Sequence, residues 1–238
     1  MMRTLAVLFG IGGLLFADDE PKQKIQVVHT ERTDFPSGGL LRFKNSIGEL
    51  TVEGWDRPDV EITTIKSTKA LYTSRDREKA SHELDKVRIS VERRGGQLVI
   101  TTDFPRHRGL PPPSPLRAAT SFELEYHVKA PMNARLAADH DTGEVHVDNL
   151  TADIHVSVLN GGITLHLPQE AQYGIDAKSD LGGVTSDFPG HKKRRPWLLG
   201  HQFVQRMSAP HKLYLRVGFG DITILKIQKP PAPGPLTH

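Results

Sequence analysis

The feature that most constrains the fold is a five-residue phrase that returns along the chain. It consists of glycine, a variable residue, an aliphatic residue, threonine or histidine, and usually a second aliphatic residue. It occurs as Gly48-Glu49-Leu50-Thr51-Val52, Gly143-Glu144-Val145-His146-Val147, Gly161-Gly162-Ile163-Thr164-Leu165, Gly182-Gly183-Val184-Thr185-Ser186 and Gly220-Asp221-Ile222-Thr223-Ile224. The last four glycines are separated by 18, 21 and 38 residues. The spacing suggests a strand-turn coil of roughly 19 residues, with the longest gap counting as two coils. In such a coil Leu50, Val145, Ile163, Val184 and Ile222 form an inward column and Thr51, His146, Thr164, Thr185 and Thr223 an outward ladder. The glycines supply turns with positive φ. One coil cannot bury its apolar face alone, so coils must stack. The expectation is an all-β, solenoid-like roll of stacked short strands; an antiparallel sandwich whose hairpins happen to begin with glycine is the alternative.

The remaining chain alternates in the same period-2 manner at 25–27, 41–43, 60–62, 87–91, 98–100 and 122–128, the pattern of half-buried strands. One segment breaks it. Over Ser74–Lys86 a helix is expected, with Thr73 and Asp76 as a capping pair and Leu71, Ala80, Leu84 and Val87 near one face. Two long loops are also expected. Residues 103–119 hold five prolines, which cannot donate to a ladder. Residues 188–212 carry a basic run. The chain thus divides into an apolar leader (1–17), a lead-in strand (18–36), the roll (37–228) and a Pro-rich disordered tail (229–238).

The leader has the layout of a cleavable signal peptide: Met1-Met2-Arg3, an apolar run from Leu5 to Ala17, then Asp18-Asp19-Glu20. That run is shorter than the roughly 20 residues needed to span a bilayer. Cleavage after Ala17 and export to the periplasm or cell surface are the expectation. The chain has no cysteine, so no disulfide, thiolate metal site or Cys-linked lipid is available.

Few residues have the look of a reaction centre. Asp139-His140-Asp141 offers two carboxylates and an imidazole, yet strand alternation sends the acids to one side and the imidazole to the other; turn capping is the favoured reading. His146, His155 and His166, with Glu144, Asp148 and Asp153, are candidates for an outward strip, read as solvated positions. No HExxH, Gly-x-Ser-x-Gly or calcium-binding repeat occurs, so no catalytic residue, cofactor or metal ligand is assigned. Aromatic residues make up only 6 % of the chain, which supplies little sugar stacking. Trp55, between Gly54 and Pro58, is read as a structural corner.

The sharpest local feature is Lys192-Lys193-Arg194-Arg195 followed by Trp197. From Phe188 to Arg216 seven basic residues occur without an acid. Cations beside an amphipathic aromatic suit an anionic lipid surface or an acidic polysaccharide, and export disfavours nucleic acid. Lys192, Lys193, Arg194, Arg195 and Trp197 are the candidate interaction surface.

Finally, residues 45–62 (NSIGELTVEGWDRPDVEI), 121–136 (SFELEYHVKAPMNARL), 141–168 (DTGEVHVDNLTADIHVSVLNGGITLHLP) and 175–190 (IDAKSDLGGVTSDFPG) resemble bacterial "putative adhesin" proteins of a domain of unknown function. The resemblance implies a stacked β-roll outside the inner membrane and offers no catalytic residues to carry over. The Pro-rich and basic stretches depart from the family pattern. The functional expectation is a non-enzymatic envelope protein whose partner is another envelope protein, a glycan or an anionic membrane surface. A β-helix enzyme acting on acidic polysaccharide and an envelope-stress regulatory partner are the alternatives.

Overall fold

A computed structural model describes residues 21–103, 122–194, 199–205 and 208–227. The leader 1–17, all but Asp103 of the Pro-rich stretch, Arg195, Trp197 and the tail 229–238 lie outside the described residues.

The chain is all-β, with one helix among the described residues. The strands run β1 (Gln23–Asp34), β2 (Leu40–Ile47), β3 (Glu49–Trp55) and β4 (Asp59–Tyr72), then the helix α1 (Arg77–Asp85), then β5 (Arg88–Arg94) and β6 (Gln97–Asp103). They continue as β7 (Phe122–Pro131), β8 (Arg135–Thr142), β9 (Val145–Asp148), β10 (Ile154–Asn160), β11 (Ile163–Pro168), β12 (Tyr173–Leu181) and β13 (Val184–Ser186). The last are β14 (His191–Arg194), β15 (His201–Gln205), β16 (His211–Phe219) and β17 (Ile222–Ile227). They form two open mixed sheets, an eight-stranded one ordered β1-β4-β7-β3-β9-β11-β17-β13 and a nine-stranded one ordered β14-β15-β12-β16-β10-β8-β2-β6-β5.

The repeated phrase marks where the chain crosses from the second sheet to the first. Each crossing joins two strands into a rung: β2–β3, β8–β9, β10–β11, β12–β13 and β16–β17. Rungs lie parallel to their neighbours in both sheets, unlike an antiparallel sandwich. The expected inward column exists in register, running Leu50, Val145, Ile163, Ile222, Val184, and all five side chains are buried.

The glycines stack in the same order and explain why no other residue stands there. Gly48, Gly143, Gly161, Gly220 and Gly182 all have φ between +92° and +148°, outside the range open to side chains. A Cβ built on Gly143 would collide with the Gly48 carbonyl, one on Gly161 with that of Gly143, one on Gly220 with that of Gly161, and one on Gly182 with that of Gly220. Three of the amide N–H groups are also used along the stack: Gly143 donates to Asn160 O at 2.9 Å, Gly161 to Phe219 O at 2.9 Å and Gly220 to Leu181 O at 2.9 Å.

Four expectations are corrected. The rungs do not stack in chain order, because the last one, β16–β17, enters between β10–β11 and β12–β13. The gap read as two coils is instead occupied by the antiparallel pair β14 and β15 at the sheet edge, which gives the chain length to return. For the same reason 188–212 is not one long loop. β14 escaped the period-2 reading because it is exposed at every position, leaving no alternation to detect. In the helical segment Ala80, Leu84 and Val87 are buried as expected, but Leu71 points outward. The Thr73 hydroxyl lies 3.3 Å from Asp76 Oδ2, within a 3-10 turn that precedes α1. Lys66 Nζ donates to Leu84 O and Val87 O at 3.3 and 3.1 Å, holding the end of the helix to β4.

Candidate functional site

Two broad outward faces and one basic edge are available for contact. On the eight-stranded sheet, register alignment puts Thr30, Thr63, His127, Thr51, His146, Thr164, Thr223 and Thr185 in one row. One step along lies a charged row, Arg32, Glu61, Lys129, Glu53, Asp148 and His166. Neighbouring strands lie about 4.8 Å apart, so this face repeats threonine or histidine at a fixed interval beside a row of mixed charge. His166 Nδ1 lies 2.6 Å from Asp148 Oδ1, and His127 Nε2 lies 3.4 Å from Glu125 Oε2.

The candidate histidine strip, read from the sequence as solvated positions, is only partly assembled. His146 and His166 share this face, but His155 sits on β10 in the other sheet, stacked against Tyr214 at 4.5 Å. The reason is the rung itself, which sends its two strands to different sheets. His127, which the repeat did not flag because β7 precedes no glycine crossing, takes the third place. Asp153 stands before β10 and accepts the Lys212 N–H at 2.8 Å. No group of three or more His, Asp or Glu capable of holding a metal ion occurs among the described residues.

On the nine-stranded sheet a shallow groove of about 280 Å³ is lined by Asp139, Asp141, Ser157, Leu159, Lys178 and Arg216, with the bare Gly218 in its floor. Asp139 and Asp141 lie on β8 and face outward, while His140 between them is buried. The alternation splits the triplet as expected, although a strand holds it where a turn was favoured. The His140 Nε2–H donates to Gly48 O at 3.0 Å, and the Ser46 hydroxyl donates to Nδ1 at 2.8 Å. Burial depresses its pKa to about 4, so it stays neutral and ties the Ser46 bend to the glycine stack. Burial, with the Asp139 charge second, raises the Asp141 carboxyl. Opposite them, Arg216 pairs with Asp176 at 2.9 Å and Lys178 with Asp180 at 3.0 Å. Burial works against ionisation of Asp176, yet hydrogen bonds from Arg216 and Gln202 and the nearby cations hold its carboxyl below the ordinary range.

The predicted basic surface is a sheet edge. Lys192, Lys193 and Arg194 lie on β14 and are exposed; Arg195 and Trp197 fall outside the described residues. Charge on an edge strand also blunts pairing with other chains. Lys193 lines up with Gln202, Lys178 and Arg216, so the basic edge continues onto the outward face, a continuity that linear spacing could not reveal.

Trp55 ends β3 as a corner. Its indole N–H donates to Asp59 O at 2.8 Å, and Arg32 and Arg57 lie over the ring at 5.6 and 5.0 Å. A cleft of about 480 Å³ beside it is lined by Phe35, Pro58, Met132 and Asn133.

No protein-family model matches the chain, and no curated protein matches it. Among solved structures it is similar to a putative cell adhesion protein from Clostridium sporogenes, at 14 % identity and a TM-score of 0.49, over 84 % of this chain and 100 % of that one. It is also similar to a putative adhesin from Bacteroides fragilis, at 12 % identity and a TM-score of 0.35, over 84 % of this chain and 97 % of that one. A third, a putative adhesin from Parabacteroides distasonis, has 11 % identity and a TM-score of 0.23, over 83 % and 70 %. Two of these three bear the name of the proteins that the sequence resembles, putative adhesins.

Proposed function

We propose that the chain is an exported, non-enzymatic envelope protein whose solenoid-like roll presents flat strand faces to another envelope component. The observation that carries this reading is the row of threonine and histidine that crosses all strands of the eight-stranded sheet in register. Such a face offers a repeating set of short donors and acceptors over a wide area, suited to recognising an extended partner by many weak contacts. It lacks the depth that sequesters a small substrate from water. The expected outcome in a bacterial host is a mature protein beginning at Asp18 in the envelope fraction. It should be captured by intact envelope material, with capture reduced at least tenfold by Thr51→Arg with Thr164→Arg. Retention in the cytoplasm with Met1 in place, or capture indifferent to the paired arginines, would sink the reading.

A second reading rests on the groove. Asp139 and Asp141 are two residues apart on one strand face, their Cα atoms about 6.6 Å apart, so both carboxyl groups enter the groove from one side, and one of them has a raised pKa. Turnover of an acidic polysaccharide that disappears in Asp139→Asn and Asp141→Asn would favour it over the first.

A further inference from the structure

The corner through which the chain leaves the nine-stranded sheet carries an apolar ridge that the core does not use. Phe219 and Leu181 are register partners on β16 and β12. Gly182 bridges Gly200, which sets Leu199 beside Leu181. Leu181, Leu199 and Phe219 are 36 %, 73 % and 51 % exposed. They stand together, whereas singly scattered apolar side chains would need no explanation.

The flank of the ridge is basic. Arg194 is the register partner of His201, whose Nδ1 lies 3.0 Å from the Gly182 carbonyl oxygen. The cations of β14 therefore begin one strand from the ridge. Lys192, Lys193 and Arg194 form no ion pair among the described residues, unlike Lys178 and Arg216 in the groove. On the far side of the corner the charge reverses: Asp221 accepts the Gly183 N–H at 2.5 Å, and the Glu144 side chain lies over Gly162. The corner thus has an apolar crest, a cationic shoulder toward β14 and an acidic shoulder toward the other sheet.

We infer that this corner docks on an anionic lipid bilayer, with the crest entering the headgroup region and β14 lying on the phosphates. A crest of three side chains is small against the roughly 1,000 Å² that a specific protein interface needs. Shallow insertion of a few apolar groups joined to neighbouring cations suffices for reversible interfacial binding. The acidic shoulder fixes the tilt, since it must face away from the surface. The inference rests on the envelope reading, which places lipid within reach, and it assigns to the ridge a partner distinct from that of the threonine face.

Flotation of the full chain with vesicles tests it. Vesicles of equal parts phosphatidylcholine and phosphatidylglycerol should bind the protein, and vesicles of phosphatidylcholine alone should not. Raising the ionic strength from about 0.05 M to about 0.5 M shortens the screening length and should weaken binding at least tenfold. Lys192→Gln, Lys193→Gln and Arg194→Gln together should cost on the order of a hundredfold. Leu199→Ser with Phe219→Ser should cost about tenfold or more, and thermal unfolding of both variants should match the parent, since every replaced side chain is exposed. Equal binding to both vesicle types, or binding unchanged in either variant, overturns the inference. So does self-association without lipid that vanishes in Leu199→Ser with Phe219→Ser, because the ridge would then be a protein interface. Loss of vesicle binding alongside persistent capture by the threonine face would remove this inference and leave the proposed function standing.

Discussion

The stacked rungs and the flank built from β1, β4, β5, β6 and α1 solve the same problem by different means. In the rungs, one phrase is reused, and each copy meets the next through glycine, a buried aliphatic residue and a threonine or histidine. The flank pairs its strands antiparallel through β1–β4 and β5–β6, closes a second small core of Ile25, Ala80 and Leu84, and relies on local devices. Among these are the Lys66 cap on α1 and the exposed ion pairs Arg32–Glu61 and Lys24–Glu123. Exposed pairs contribute little individually. The comparison teaches that the rungs depend on positions where one residue type alone fits, whereas the flank spreads its dependence over many replaceable contacts.

That difference can be broken most severely inside the column. Ile163→Asp puts an unpaired charge between Val145 and Ile222 and should cost more than about 4 kcal/mol, seen as loss of cooperative unfolding in a urea titration; Thr164→Ser on the outward side of the same strand should be nearly silent. Equal tolerance at the two positions would mean the inward and outward sides are misassigned.

Next comes the glycine stack. Gly161→Ala must push against the Gly143 carbonyl at φ +144°, and a loss of about 3 kcal/mol is expected. Gly95→Ala in the β5–β6 turn has φ +60° with open space around the added carbon, so about 1 kcal/mol is expected there. Paired denaturation curves check the ratio, and a flank variant as damaging as the rung variant would dissolve the contrast.

A pH series sharpens the same point. The neutral His140 is favoured in the folded chain, where its pKa is about 4, against an ordinary value near 6.5 in the unfolded chain. Between those values the unfolded state binds the proton and the folded state does not, so stability is full above about pH 6.5 and falls toward pH 4. The loss amounts to about 3 kcal/mol. His140→Gln should flatten this part of the profile, and a variant that retains the full slope would assign it to other groups. The smallest effect belongs to the flank: Lys66→Met should cost about 1 kcal/mol and speed amide exchange in α1 while leaving exchange in β11 unchanged.

Much of this contrast was legible in the residues. Glycine at a crossing, with alternation after it, is a signal that depends only on backbone geometry and burial, so the column from Leu50 to Val184 could be named in advance. Stacking order could not, because Ile222 is as good a neighbour for Ile163 as Val184 is; side-chain chemistry does not distinguish them. The edge strand β14 left no pattern to read, since both of its faces meet water. The candidate surface was half legible for a related reason. The run from Lys192 is visible as composition, whereas its alignment with Lys178 and its closeness to Leu181 and Phe219 arise from pairings between strands distant along the chain.

The entry of β16–β17 between two earlier rungs has a consequence for how the molecule is completed. A stack assembled in chain order could add each rung as it appears, but here β12 and β13 must wait for a neighbour that comes later. Until β16 arrives, β12 has only β15 as a partner, and β13 has no rung to rest on. The last strands therefore act as a keystone: they do not lengthen the arch, they lock it. A chain cut before His211 should leave β12 amides unprotected from exchange while β8 and β10 remain paired, and the repeat, despite its periodic look, cannot be extended by copying its final unit.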